Sequence, residues 1–276
     1  MRSGVRGTAN AMRWLVSYIK NDKSTSRLDA YGDKIIIVGN GPSAGEFDFD
    51  KYARQGYNFV CVNLFAADEE RFFSLKPKYY CAIDGLFHNP SDPERFNRLE
   101  QFERTVAALE RVDWDMTFLS LITQKPFFKN DRIKVQKLTI NRYQGNVEWL
   151  IRKLYDRNIA GYIVEANVVA AALFFCLSGN ASEVGLTGVE YDLLNKLRVS
   201  KDNTVYYECE YFYEKRMVNY EKWGKVKKNE LHWLIANFST YFRNYSRLAE
   251  YAKMKNIPVY NYTVNSLIDA YEKRDP

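Results

Sequence analysis

The sequence predicts an α/β protein built on a doubly wound, mostly parallel sheet with an aromatic-rich lid insertion, and three observations carry that class. Lys34-Ile-Ile-Ile-Val38 is a continuous β-branched run without alternation, the pattern of a strand buried on both faces. It stops abruptly in Gly39-Asn-Gly-Pro-Ser43, a turn sequence. Further short apolar runs then alternate with longer helical patterns along the chain.

Taken in order, the opening MRSGVRGTANAMRWLVSYIK is basic and loosely amphipathic, without the continuous apolar core and cleavage site of a secretory signal. Residues 1–30 are expected to form a basic helical extension, either packed on the domain or lying on a membrane surface. Residues 31–192 hold the nucleotide-binding core. Strands are predicted at 34–38, 58–63, 79–83, 116–121, 183–187 and 257–260, with helices over 93–111, 145–157, 167–177 and 241–255. Strands alternating with helices lie side by side in one parallel sheet, the Rossmann-like arrangement. Residues 193–230 break the rhythm, with few aliphatics and many Tyr, Lys and Glu, as in Val205-Tyr-Tyr-Glu-Cys-Glu-Tyr-Phe-Tyr-Glu-Lys215. An excursion of that length at the carboxyl side of a sheet is usually functional. It reads as a lid over the cleft, with a surface insertion for oligomerisation as the alternative. Residues 231–276 supply the closing helix and strand.

Composition narrows the function classes. At 276 residues, with 46% hydrophobic and 27% charged side chains, the chain can bury a full core, which excludes disorder and fibrous architectures. No apolar run reaches the length of a membrane span. The aromatics, 21 Tyr, 17 Phe and 5 Trp, are in excess and suit surfaces that stack on rings, sugars or bases, although most of them are expected in the core. A net charge of +6 suggests anionic small molecules or an anionic membrane face. Lys and Arg are spread along the chain, so no nucleic acid is expected. The four cysteines show no metal or redox spacing, and three lie within apolar runs, which points to a reducing, cytoplasmic setting, at the inner face of the membrane if the N-terminus docks there.

Gly39-Asn40-Gly41-Pro42-Ser43 follows a buried strand, so it falls at the carboxyl edge where open α/β sheets bind ligands. Its free N–H groups are expected to receive a phosphate. A nicotinamide dinucleotide would want an acidic residue at the end of the second strand. Asn63 stands there, 24 residues beyond Gly39, and suits a base or sugar edge better. Asp84, at the end of the third strand, could bind a hydroxyl, act as a base or simply close a turn. Asn167 opens a helix at the position where an anion would dock. The strand 183–187 runs into Gly188-Val-Glu190-Tyr-Asp192. One rim thus collects five polar strand ends or helix starts, as a nucleotide-sugar donor would need. Any imidazole base is His88 or His232, the two histidines. No His/Cys pair has zinc spacing, and Asp48-Phe-Asp50 and Asp113-Trp-Asp115 follow no predicted strand, so no metal is expected.

Ile35–Val38 with Gly39-Asn-Gly-Pro-Ser43, then Glu46 and Asp48, resembles the opening of bacterial sialyltransferases of glycosyltransferase family 42. It is also similar to related surface-polysaccharide proteins and hydroxymethylpterin diphosphokinases. Cys61-Val-Asn63-Leu-Phe65 resembles the family's strand ending in a nucleotide-contacting Asn, and Asp84 falls where the family has a second donor-binding Asn. Asn167 and Glu183-Val-Gly-Leu-Thr-Gly-Val-Glu190-Tyr occupy the region of its Thr-Ser-Gly and Leu-Ser-Gly-Ile-Asp-Phe-Tyr motifs. Ile257-Pro-Val-Tyr-Asn261-Tyr-Thr-Val-Asn-Ser266-Leu is similar to its closing strand and turn. The matches are scattered over about residues 34–270, and Leu231-His232-Trp233 echoes the family's Ser-His-Tyr.

The resemblance implies a metal-independent glycosyltransferase of surface-polysaccharide or lipopolysaccharide synthesis, peripheral to the membrane. Its donor would be a CMP-activated sialic-acid-like or other acidic sugar, its acceptor a glycan or lipid-linked glycan, with no separate cofactor; homo-oligomerisation stays open. The amides of Gly39, Asn40, Gly41 and Ser43, beside Pro42, would hold phosphate together with the helix start at Asn167. Asn63 and Asp84, near Gly188 and Glu190, would hold the nucleoside or sugar. His232 would deprotonate the acceptor, and Tyr206, Tyr207 or Tyr211 would stabilise the leaving phosphate. Two alternatives remain: a Mg²⁺-dependent diphosphokinase or phosphotransferase using Asp84, Glu190 and Asp192, and a non-catalytic partner in polysaccharide assembly.

Overall fold

The computed structural model describes residues 12, 14–16, 19, 29–88, 99–121, 124, 125, 127–141, 148–161, 167–212, 215–219 and 231–276. Among them, nine strands form one sheet in the order β12-β11-β7-β1-β2-β3-β4-β5-β6, and every neighbouring pair is parallel. The centre is β1 (Lys34–Val38), flanked by β2 (Tyr57–Val62) and β7 (Glu183–Thr187). Beyond β2 lie β3 (Tyr79–Cys81), β4 (Met116–Leu121), β5 (Ile133–Asn141) and β6 (Ile159–Gly161). Beyond β7 lie β11 (Val259–Asn261) and β12 (Glu272–Lys273).

Alternating side chains of a strand point to opposite faces, and in β1 both sets are buried. Ile35 and Ile37 join one core with α6 (Val168–Ser178) and the C-terminal half of α8 (Leu231–Lys255). Ile36 and Val38 join a second core with α1 (Phe49–Arg54), α2 (Glu69–Leu75) and α4 (Leu99–Glu110). Helix α6 is apolar all round and almost wholly buried, as a helix must be when it is wrapped by sheet, neighbours and chain ends. The crossovers after β1 and β2 run over one face, and the helix leading into β7 runs over the other. The loops leaving β1 and β7 therefore diverge at the carboxyl edge, which makes that crevice the topological switch point.

Three features depart from the sequence reading. Strands β5 and β6 extend the sheet where none is predicted, because Ile133-Lys-Val-Gln-Lys-Leu mixes charge into a strand whose Lys134 and Val135 are exposed. The last helix starts at Leu231, not 241. Its extra turns pack on the insertion, which is a folded three-stranded antiparallel unit of β8 (Leu197–Val199), β9 (Val205–Glu210) and β10 (Lys215–Asn219), preceded by α7 (Leu193–Lys196). Val205, Leu234 and Phe238 form its small core. Near the other terminus, Trp14 is buried, and its indole N–H donates to the Leu150 carbonyl at 3.1 Å, on α5 (Glu148–Tyr155). Cys61, Cys81 and Cys176 are buried free thiols, and burial pushes all three up.

Helix α6 packs against β1, β2 and β3, the central strands of the sheet. Phe175 has no exposed surface and packs its ring edge-on to Tyr79 of β3, 5.2 Å between centroids. Phe175→Ala is expected to cost about 3–5 kcal/mol in urea unfolding. A loss below about 1 kcal/mol would mean that α6 is not the keystone of this face.

Candidate functional site

The site is built where β1 and β7 end. Gly39 donates its N–H to the Thr187 carbonyl at 2.8 Å, and a Cβ there would overlap the Gly188 carbonyl. Gly188, at φ +66°, faces back: a Cβ on it would stand 2.7 Å from both the Gly39 carbonyl oxygen and the Ala44 Cβ. The two glycines let the strand exits touch backbone to backbone. Gly41 donates to the Gly188 carbonyl at 2.9 Å, and the space its missing Cβ would need is filled by the Glu190 carboxylate. Ser43 N–H donates to Glu190 Oε1 at 2.7 Å, and Ala44 N–H to the Gly41 carbonyl at 3.0 Å. Pro42 has no N–H. The amides of Gly39, Gly41 and Ser43, three of those expected to receive a phosphate, are bonded within the protein in this structure, the Ser43 amide to the Glu190 carboxylate.

What the loop presents instead is acceptors. Asn40 Nδ2 donates to the Val62 carbonyl at 3.3 Å, leaving Asn40 Oδ1 buried without a partner. Glu190 Oε2 and Ser43 Oγ are buried and partnerless as well. A buried polar atom left unpaired costs about 1–3 kcal/mol, so Asn40 Oδ1 and Glu190 Oε2 call for a ligand that donates hydrogen bonds, such as a hydroxyl or an amino group, while the Ser43 hydroxyl can donate or accept. Positive charge comes from α2. Arg71 lies beside the loop at Gly45, its guanidinium stacks 4.7 Å from the Phe212 ring centroid, and its Nη1 is buried without a partner. Sequence reasoning passed over Arg71 because it sits inside an ordinary short helix; the available signal was that this helix starts directly after the β2 exit.

Around this pair the rim is fastened by side chains. Asn63 takes the left-handed conformation (φ +49°), donates its N–H to the Cys81 carbonyl at 2.9 Å, and accepts the Ile83 N–H on Oδ1 at 3.4 Å. It ties the β2 exit to the β3 exit, where half-buried Asp84 accepts the Phe87 N–H on its carbonyl at 2.9 Å. Asn167 does not wait for an anion. It is buried and caps α6, its Oδ1 accepting from Val169 N (3.1 Å) and Ala170 N (3.3 Å). Its Nδ2 donates to the hydroxyls of Tyr245 (3.0 Å) and Tyr191. Burial pushes both phenols up, so they stay neutral. Asp192 pairs with Lys196 at 2.8 Å. No three His, Cys, Asp or Glu side chains converge for a metal among the described residues.

The insertion reaches the loop through Phe212, whose N–H donates to the Asn40 carbonyl at 3.1 Å and whose ring packs on Phe65, 5.3 Å away. Tyr211 is therefore brought to the loop. Tyr207 packs instead into the core shared with Leu234 and Phe238, and Tyr206 alternates to the other face of β9, about 15–20 Å of strand away from Phe212. His232 is exposed near the start of α8. From there the helix rises about 15 Å to the level of Phe242, whose ring meets Tyr191 at 5.8 Å. Asn167 therefore meets the rim through Tyr191, while Tyr207 belongs to the small core of the insertion and His232 to the outer part of α8. His88 closes α3 (Gly85–His88), and its side chain lies outside the described residues.

Gly188→Ala is expected to lose about 1–3 kcal/mol in urea unfolding, from its left-handed backbone and the contact with Gly39. Glu190→Ala should lose a similar amount. Glu190→Gln, which keeps an oxygen for the Ser43 N–H, should stay within about 1 kcal/mol of wild type. Equal losses in the two Glu190 variants would contradict a role for that hydrogen bond.

No protein-family model and no curated protein matches the chain. Among solved structures, the chain is similar to sialyltransferase CstII from Campylobacter jejuni in complex with cytidine-5'-monophosphate. The identity is 13% and the TM-score 0.44, over 90% of this chain and 87% of that one. The same sialyltransferase with CMP-3FNeuAc is 14% identical at a TM-score of 0.43, over 88% and 86%. A CST-II structure with a trisaccharide acceptor and CMP is 15% identical at 0.42, over 88% and 86%. These likenesses span most of both chains but are too distant for a function to be carried across.

Proposed function

We propose that the chain is a glycosyltransferase that moves a sugar from a CMP-activated acidic donor to a glycan acceptor in surface-polysaccharide synthesis. The observation that carries this reading is one juxtaposition at the switch point: partnerless buried acceptors beside a partnerless guanidinium nitrogen. Asn40 Oδ1, Glu190 Oε2 and Ser43 Oγ suit the hydroxyl and amino donors of a nucleoside or sugar. Arg71 suits the phosphate or carboxylate of the same ligand, which a guanidinium binds with geometric specificity. The motif resemblance of residues 34–65, 183–191 and 257–267 supports a CMP-sugar among such ligands.

On this reading the reaction breaks the bond between the anomeric carbon and the phosphate oxygen as the acceptor oxygen attacks. CMP leaves as an anion, and Arg71 offsets the charge that grows on its phosphate while Tyr211, at the loop end of the insertion, donates a hydrogen bond. The folded insertion limits water at the cleft, which favours transfer over hydrolysis. The acceptor proton goes to His232 if the outer end of α8 comes down on the rim, or to Asp84, which already stands there. A phosphotransferase built on a Mg²⁺ ion would need Asp192 freed from Lys196 and Glu190 freed from Ser43.

Arg71→Ala is expected to weaken CMP binding by about 10–100-fold in isothermal titration, the worth of a hydrogen bond to a charged group, with Arg71→Lys recovering part of it. Unchanged CMP affinity, or a preference for NAD, would overturn the donor assignment. For the base, loss of one general base lowers kcat by about 10²–10⁴-fold with donor affinity kept. That loss in His232→Ala assigns the proton to the imidazole. The same loss in Asp84→Ala alone assigns it to the rim carboxylate.

A further inference from the structure

We infer that the N-terminal segment docks this protein on an anionic bilayer surface. Met12, Leu15, Val16 and Ile19 are helical and 64, 45, 43 and 63% exposed. Their spacing gathers them into an arc of about 100° on one side of a helix. Trp14 falls on the opposite side, buried, with its indole N–H on the Leu150 carbonyl. That bond fixes the direction of the apolar stripe: it faces away from the domain. Next to Leu150, Trp149 is 58% exposed, with the Lys153 ammonium 5.4 Å from its ring centroid and Arg152 exposed on the same helix. An exposed indole flanked by cations beside an apolar stripe is the composition of a membrane-interface anchor.

Charge selects the occupant. Basic residues are spread over the whole chain, but the acids that balance them are not. Residues 1–30 contain Arg2, Arg6, Arg13, Lys20, Lys23 and Arg27 against Asp22 and Asp29, which is +4 of the net +6 and leaves the other 246 residues at +2. A segment of that charge carrying an exposed apolar stripe fits a partner that is apolar within and negative over an area, as anionic headgroups above acyl chains are. A second copy of the chain would bring the same surplus against itself. Residues 1–30 contain no apolar run of the length of a membrane span, so the segment would lie on the surface rather than cross it. The inference is independent of the donor assignment.

The test is co-sedimentation of the full chain with vesicles of phosphatidylcholine alone and of phosphatidylcholine mixed with phosphatidylserine. The chain is expected to pellet with the mixed vesicles only, and less as salt shortens the Debye length from about 10 Å at 0.1 M to about 3 Å at 1 M. Leu15→Glu with Ile19→Glu, both on exposed positions, should lower the bound fraction at least about tenfold with unchanged circular dichroism. Trp149→Ala should lower it in part. Equal pelleting by the double variant, equal binding to both vesicle types, or no binding by the wild type would overturn the inference. So would a double variant that leaves vesicles unaffected but converts a dimer to a monomer in light scattering, which would assign the face to a second copy.

Discussion

The contact on which the rest of the site depends is the backbone-to-backbone meeting of Gly39 and Gly188, locked by the Glu190 carboxylate on the Ser43 amide at 2.7 Å. A parallel sheet opens a crevice where neighbouring strands send their chains to opposite faces. Here the opening is narrow, because both strand exits lack a side chain at the point of contact. The closeness places Glu190 across the loop after β1 and Tyr191 against Asn167 and Tyr245, so one turn couples the central strand to both α6 and α8.

One consequence is chemical. A glycine-rich turn after a buried strand ordinarily offers amides to an anion. In this chain a carboxylate of the protein already holds that place, so the same turn becomes a set of acceptors and the positive charge is supplied from outside it, by Arg71. On the proposed reading, recognition of neutral donor groups and of negative charge would fall to different elements, with Phe212 between them, stacked on the guanidinium and bonded to the Asn40 carbonyl. The insertion is anchored at both ends of this arrangement, through Phe212 at the loop and through Leu234 and Phe238 on α8.

Much of this was legible in the residues. Ile35–Val38 reads as a doubly buried run because nothing in it needs water, and its strand is the centre of the sheet. The rim positions of Gly39–Ser43, Asn63, Asp84 and Glu190 follow from strand ends alone. What a linear pattern could not carry was pairing in space. Ser43 and Glu190 are 147 residues apart, so nothing local reveals that one consumes the amide of the other. Asn167 reads as an exposed helix opener, yet its amide is shared among its own helix and two tyrosines from distant segments. Strand β5 escaped notice because its charged alternation resembles a solvated segment until a neighbour covers one face. His232 looks adjacent to the cleft along the chain, while about 15 Å of helix separates it from Phe242, the residue of α8 that meets Tyr191.

The central claim is that the loop after β1 reads hydrogen-bond donors and that the anion is read by Arg71. Titration of the wild-type protein with cytidine, CMP and inorganic phosphate separates the two contributions most directly. The account predicts that cytidine binds about 10–100-fold more weakly than CMP, the worth of the contact to Arg71, and that phosphate alone neither binds nor displaces cytidine. Phosphate binding that competes with CMP, together with no binding of cytidine, would contradict it.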